Sequence, residues 1–99
     1  MEGKIIYTFS ARLWQHAGQS NWFFVSLPAD MAGEIRENLQ WLEEGWGRLK
    51  ARASIGLSQW DTAIWYDTKQ QTYLLPVKGE IRKKEKLTAD MEVKVMLWV

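Results

Sequence analysis

The tetrapeptide Gly33-Glu34-Ile35-Arg36 returns unchanged as Gly79-Glu80-Ile81-Arg82 in a chain of 99 residues, and each copy sits in the same local grammar. Phe23-Phe24-Val25-Ser26-Leu27-Pro28 precedes the first and Tyr73-Leu74-Leu75-Pro76 the second, so each follows a short apolar strand and a Leu-Pro step. A strand follows each copy. Arg48 to Ile55 sets Leu49, Ala51, Ala53 and Ile55 against Arg48, Lys50, Arg52 and Ser54, in strict period-two alternation. Met91 to Trp98 likewise sets Met91, Val93, Val95 and Leu97 against Glu92, Lys94, Met96 and Trp98. The reading is a strand-helix-strand unit used twice, with repeat halves near 22–55 and 72–98.

The remaining segments fit around that pair. Ile5, Tyr7, Phe9, Ala11 and Leu13 alternate with Lys4, Ile6, Thr8, Ser10 and Arg12 as a first strand with one face in a core. Gln15 to Asn21, with Gly18 inside it, reads as a hairpin loop to a second strand, Trp22 to Leu27, whose two faces are both apolar. Such a strand is expected to be covered on both sides, by the helix that follows. Pro28 suits a first helical turn, Asp30 complements the helix dipole, and Met31, Ile35, Leu39 and Leu42 form a stripe ending near Gly45 and Gly47. Glu43-Glu44 reads as a solvated helix end. Gly56 breaks the third strand, and Gln59 to Tyr66 resumes as a fourth with Trp60, Thr62 and Ile64 on one face. Thr72 to Leu75, a short helix from Val77 to Glu85 and the closing strand complete a mainly β chain. Six strands suit a small closed β-barrel over 1–99, because closure leaves no unprotected edge.

Composition mainly excludes. With 46% hydrophobic and 25% charged residues the chain is one ordinary globular domain, and its net charge of +1 favours no polyanion by itself. The absence of Cys removes disulfides and thiolate chemistry and fits a reducing compartment. Charges at Glu2, Lys4, Arg12 and Asp30 argue against a signal peptide, and no apolar run approaches the roughly 20 residues that span a bilayer. A soluble cytoplasmic protein with no membrane association is expected.

The ordered blocks Phe9-Ser10-Ala11-x-Leu13-Trp14, Trp22 to Pro28, Gly45-Trp46-Gly47-Arg48, Ile55-Gly56-x-Ser58-x-Trp60-x-Thr62 and Tyr73 to Lys78 resemble the family whose domain of unknown function is numbered nineteen-oh-five. That resemblance implies a fold and no activity to transfer. Leu75 to Arg82 with Ala89-Asp90-Met91-Glu92-Val93 is also similar to the half-barrel of AbrB and MazE-type regulators, which carry Gly-Asp where this chain has Ala89-Asp90. Ala tolerates a positive φ less well than Gly. AbrB-type barrels are homodimers of halves. The resemblance therefore implies both halves fused in tandem: a monomeric double-split barrel with internal pseudo-twofold symmetry.

Catalytic constellations are thin. His16 is the only histidine, lies in the hairpin loop and has no orienting group at fixed spacing, so it reads as solvated. Asp61 and Asp67 flank a strand, and Ser54, Ser58 and Thr62 lack a general base. No phosphate loop, nucleophile elbow or dinucleotide fingerprint is present. The expectation is a non-catalytic binding or interaction module without cofactor or metal, its partner an unknown small ligand or protein. The alternative is a nucleic-acid-binding regulator, for which Arg48, Lys50, Arg52, Lys78, Arg82, Lys83, Lys84 and Lys86 are the candidate phosphate or anion contacts. Four of the seven tryptophans supply the other candidates. Trp22 and Trp60 are assigned to the core. Trp14, Trp65 and Trp98, opposite the apolar faces of their strands, and Trp46 on its glycine-flanked loop form a possible ligand or partner surface.

Overall fold

The computed structural model describes residues 5–18, 21–45 and 47–99. Six antiparallel strands, β1 (Ile6–Gln15), β2 (Phe23–Ser26), β3 (Arg48–Ile55), β4 (Ser58–Asp67), β5 (Thr72–Pro76) and β6 (Glu92–Trp98), close in the order β1-β2-β5-β4-β3-β6. Two helices interrupt them: α1 (Ala29–Leu39), continued by one 3₁₀ turn over Gln40–Leu42, and α2 (Gly79–Lys84). Among the described residues no helix is long and apolar enough to cross a membrane.

The alternation of β1, β3 and β6 decides the inside of the barrel. Tyr7, Phe9 and Leu13, then Leu49, Ala53 and Ile55, then Val93, Val95 and Leu97 all point into one core cluster. Trp60 and Ile64 join them from β4, as parity requires. Met91, expected on the same face as Val93, precedes β6 and is exposed.

The two copies of the tetrapeptide behave alike. Ile35 and Ile81 are both buried in the core cluster. The guanidinium of Arg36 lies 3.7 Å from the centroid of the Tyr66 ring, and that of Arg82 lies 3.9 Å from the centroid of Phe23. Each copy thus inserts its Ile and lays its Arg on an aromatic ring, a contact that screens both from water.

Some expectations need correction. α1 stops at Leu39, and Leu42 of the expected stripe is exposed, because the last turn tightens to 3₁₀ and rotates it off the core face. The outer face of β2 is not covered by the following helix, which packs against β5. In the turn before β6 the left-handed residue is Asp90, at φ 71°, rather than Ala89. Asp accepts that conformation more readily than other non-glycine residues, so the missing Gly costs little there.

Candidate aromatic and cationic groove

Phe24 points away from the barrel core, since Val25 beside it points in, yet only 5% of it is exposed. It is absent from the core cluster. Tryptophans cover it from outside. Trp14, its register partner across β1 and β2, lies 5.1 Å away between ring centroids, and Trp22 stacks on it at 5.8 Å with planes 17° apart. Trp65, outward on β4, sits 6.4 Å from Phe24 and 5.8 Å from Trp22. The shelf is fixed in place by Trp14 Nε1 donating to Ser26 Oγ at 2.9 Å, with Ser26 Oγ donating on to Gln70 Oε1 at 2.9 Å.

Trp22 therefore leaves the core assignment: it precedes the β2 ladder, is 42% exposed and forms the open rim of the shelf. Trp60 stays in the core. Trp98 is outward on β6 beside Ile6 and Arg52, away from the shelf partners. Trp46 lies outside the described residues. His16 meets Phe24 edge-on at 6.4 Å and accepts the Gly18 N–H on Nδ1 at 3.1 Å, and with Trp22, Phe24 and Trp65 it borders a hollow of about 310 Å³.

Two further hollows continue from the shelf. β5 lies between β2 and β4 and pairs with β4 only from Asp67↔Thr72 to Trp65↔Leu74, whereas its other edge stays paired with β2 from Ser26↔Leu74 to Phe24↔Pro76. The strands diverge, and a slot of about 350 Å³ opens between Asp61-Thr62 and Pro76-Val77, with Trp22 and Trp60 in its walls. Beside it an outer trough of about 530 Å³ runs between Arg48, Lys50 and Arg52 on one bank and Trp65 and Pro76 on the other.

Few of the candidate cations stand free. Glu44 accepts from Arg48 Nη1 at 3.0 Å and lies 4.0 Å from Lys50 Nζ. Arg52 Nη1 donates to Asp61 Oδ1 at 2.8 Å, and Lys78 Nζ lies 3.7 Å from Glu80. Arg82 is held over Phe23 and donates from Nε to the Val77 carbonyl at 3.2 Å. Lys83, Lys84 and Lys86 project from α2 and the turn after it with no ion pair among the described residues. Asp67 accepts the Lys69 N–H at the far end of β4, so it and Asp61 do not converge.

A second polar cluster escaped the sequence reading. Tyr73 Oη donates to Glu43 Oε2, Arg36 Nη1 lies 3.8 Å from the same oxygen, and Tyr66 meets Tyr73 edge-on at 5.2 Å. Glu43 is thus no solvated helix end. Burial, then the Glu43 carboxylate, raises the Tyr73 phenol well above its ordinary range. Tyr7 donates to Glu34 Oε1 at 2.6 Å, and burial followed by that carboxylate pushes it up to about 12. Both phenols are held protonated as anchors for α1 and the 3₁₀ turn. No group of three or more His, Cys, Asp and Glu suited to a metal occurs among the described residues.

Residues 9–97 match the model of a family described as Domain of unknown function (DUF1905). No curated protein matches the chain.

Proposed function

The chain belongs to the DUF1905 family, and from that premise we propose that it is a small binding module, without turnover, that takes a ring-bearing ligand on the Trp22–Phe24–Trp65 shelf. The observation that carries this reading is Phe24: an outward residue of a barrel strand is shielded from water by three tryptophans, one of which keeps an open face. A core aromatic needs no such external roof, and clustered, partly exposed tryptophans beside concave surface are a common form of binding site. Absence of turnover is supported by His16, which has no orienting acid among the described residues, and by the engagement of Glu43, Glu44, Asp61 and Glu85 in structural contacts. The nucleic-acid alternative is not favoured. Arg48 and Lys50 share Glu44, Arg52 and Lys78 each have a carboxylate, and Arg82 lies on Phe23, so the net positive charge of this group is small and leaves a weak phosphate footprint.

The module acts as a monomer in this reading. Support comes from a barrel closed within one chain and from a strand order that is unchanged when β1, β2 and β3 are exchanged with β4, β5 and β6, as expected of two fused halves.

Titration with indole, followed by backbone amide shifts, is the test. Saturable shifts centred on Trp22, Phe24 and Trp65 that Trp22→Ala abolishes would support the reading. Shifts scattered over the surface, or none at millimolar indole, would sink it.

A further inference from the structure

Resting on the shelf reading, we propose that the trough beside it takes the acid group of a small planar monoanion, an aryl carboxylate whose ring lies on Trp22 and Trp65. Strand alternation turns Arg48, Lys50 and Arg52 outward together, and the β3–β4 register sets Arg48 beside Trp65, Lys50 beside Ala63 and Arg52 beside Asp61. Ala63 is the smallest of the outward side chains on β4. Between Trp65 and Asp61 its methyl group leaves a depression, and its 5% exposure marks it as the floor under taller neighbours. The resulting space, about 530 Å³, is in the range that holds one small molecule.

Charge specifies the ligand further. Three cations on this bank share two carboxylates, Glu44 and Asp61, so one positive charge is in surplus. The existing pairs are surface pairs, Lys50 at 4.0 Å the loosest, and such pairs hold their partners weakly. Arg48 commits only Nη1 to Glu44, which leaves guanidinium N–H groups for the planar, two-point recognition that carboxylates favour. A surplus of one charge matches one carboxylate. A polyphosphate would instead meet Asp61 and Glu44 at close range. The flat indole walls match an aromatic ring better than a puckered one, because stacking needs two planar faces.

Three probes separate this assignment from the shelf reading: indole-3-carboxylate, neutral indole and cyclohexanecarboxylate, titrated by calorimetry at low and moderate salt. Indole-3-carboxylate should bind roughly tenfold tighter than indole, the gain expected of a hydrogen-bonded charge pair. That gain should shrink as salt rises. In the double variant Arg48→Gln, Arg52→Gln, it should fall to the level of indole while the affinity for indole itself is unchanged. Equal affinity for indole and its carboxylate, or an advantage that survives the double substitution, would overturn the anion assignment and leave the shelf standing. Cyclohexanecarboxylate binding as tightly as indole-3-carboxylate would overturn the planar part. Failure of both indole compounds to bind would remove the shelf and this proposal together.

Discussion

Gly56 has two independent reasons to be glycine. It opens the two-residue turn between Ile55 and Ser58 at φ 59°, and a Cβ there would run into the carboxylate of Glu85, which accepts the Ser58 hydroxyl at 2.7 Å. Gly56→Ala should lower stability by about 1–2 kcal/mol from the backbone alone, read from the urea midpoint, with Ser58→Ala losing less because it breaks only the hydrogen bond. Tyr7 gives a pH prediction. Its folded-state value of about 12 lies above the ordinary phenol value of 10, so its contribution is complete below pH 10 and is lost as pH rises toward 12. Denaturant midpoints at pH 9 and pH 11.5 should therefore fall more steeply for the native chain than for Tyr7→Phe, and parallel losses would show that burial and the Glu34 carboxylate do not raise the Tyr7 phenol. At this scale alternation made the strand residues legible, whereas Glu43 could not be read, because its partner Tyr73 is distant in sequence and carries no local signal.

Among the elements, the shelf and the core make opposite demands on tryptophan. Trp60→Ala removes a buried ring from the cluster and should cost about 3–5 kcal/mol, whereas Trp22→Ala loses stacking on Phe24 and should cost about 1 kcal/mol. Thermal melts of the two variants measure the contrast, and equal losses would return Trp22 to the core. Sequence parity separated inward from outward positions on β3, β4 and β6, and so placed Trp65 outside correctly. It failed at Trp22 because both faces of β2 are apolar, so the sequence did not show which alternating set, Trp22 with Phe24 or Phe23 with Val25, turns inward. The apolar character of both faces of β2 was the available clue to the shelf, but a covering helix satisfied it equally well until α1 was seen to pack on β5. The short reach of α1 has a similar origin. Leu42 keeps helical spacing in sequence, and a change of helical pitch, which spacing does not encode, removes it from the stripe.

For the whole molecule, closure within one chain leads to a plain expectation: light scattering should return a mass near 11.6 kDa at all concentrations, and a concentration-dependent doubling would overturn the monomer. The repeated tetrapeptide made the sequence of elements legible. It did not reveal where β5 parts from β4 beyond Leu74, since that divergence depends on register across strands far apart in the chain, and the slot beside Trp60 depends on it. The seam between β1 and β6, where Ile6 faces Trp98 and Thr8 faces Met96, joins segments separated by almost the full length of the chain. No local contact can nucleate that seam, and the loop entropy of bringing it together is spent before the ladder returns anything. Refolding should therefore be slow for a chain of this size, and substitutions along the seam, such as Val95→Ala, should lower stability by accelerating unfolding while leaving the folding rate nearly unchanged in stopped-flow chevrons.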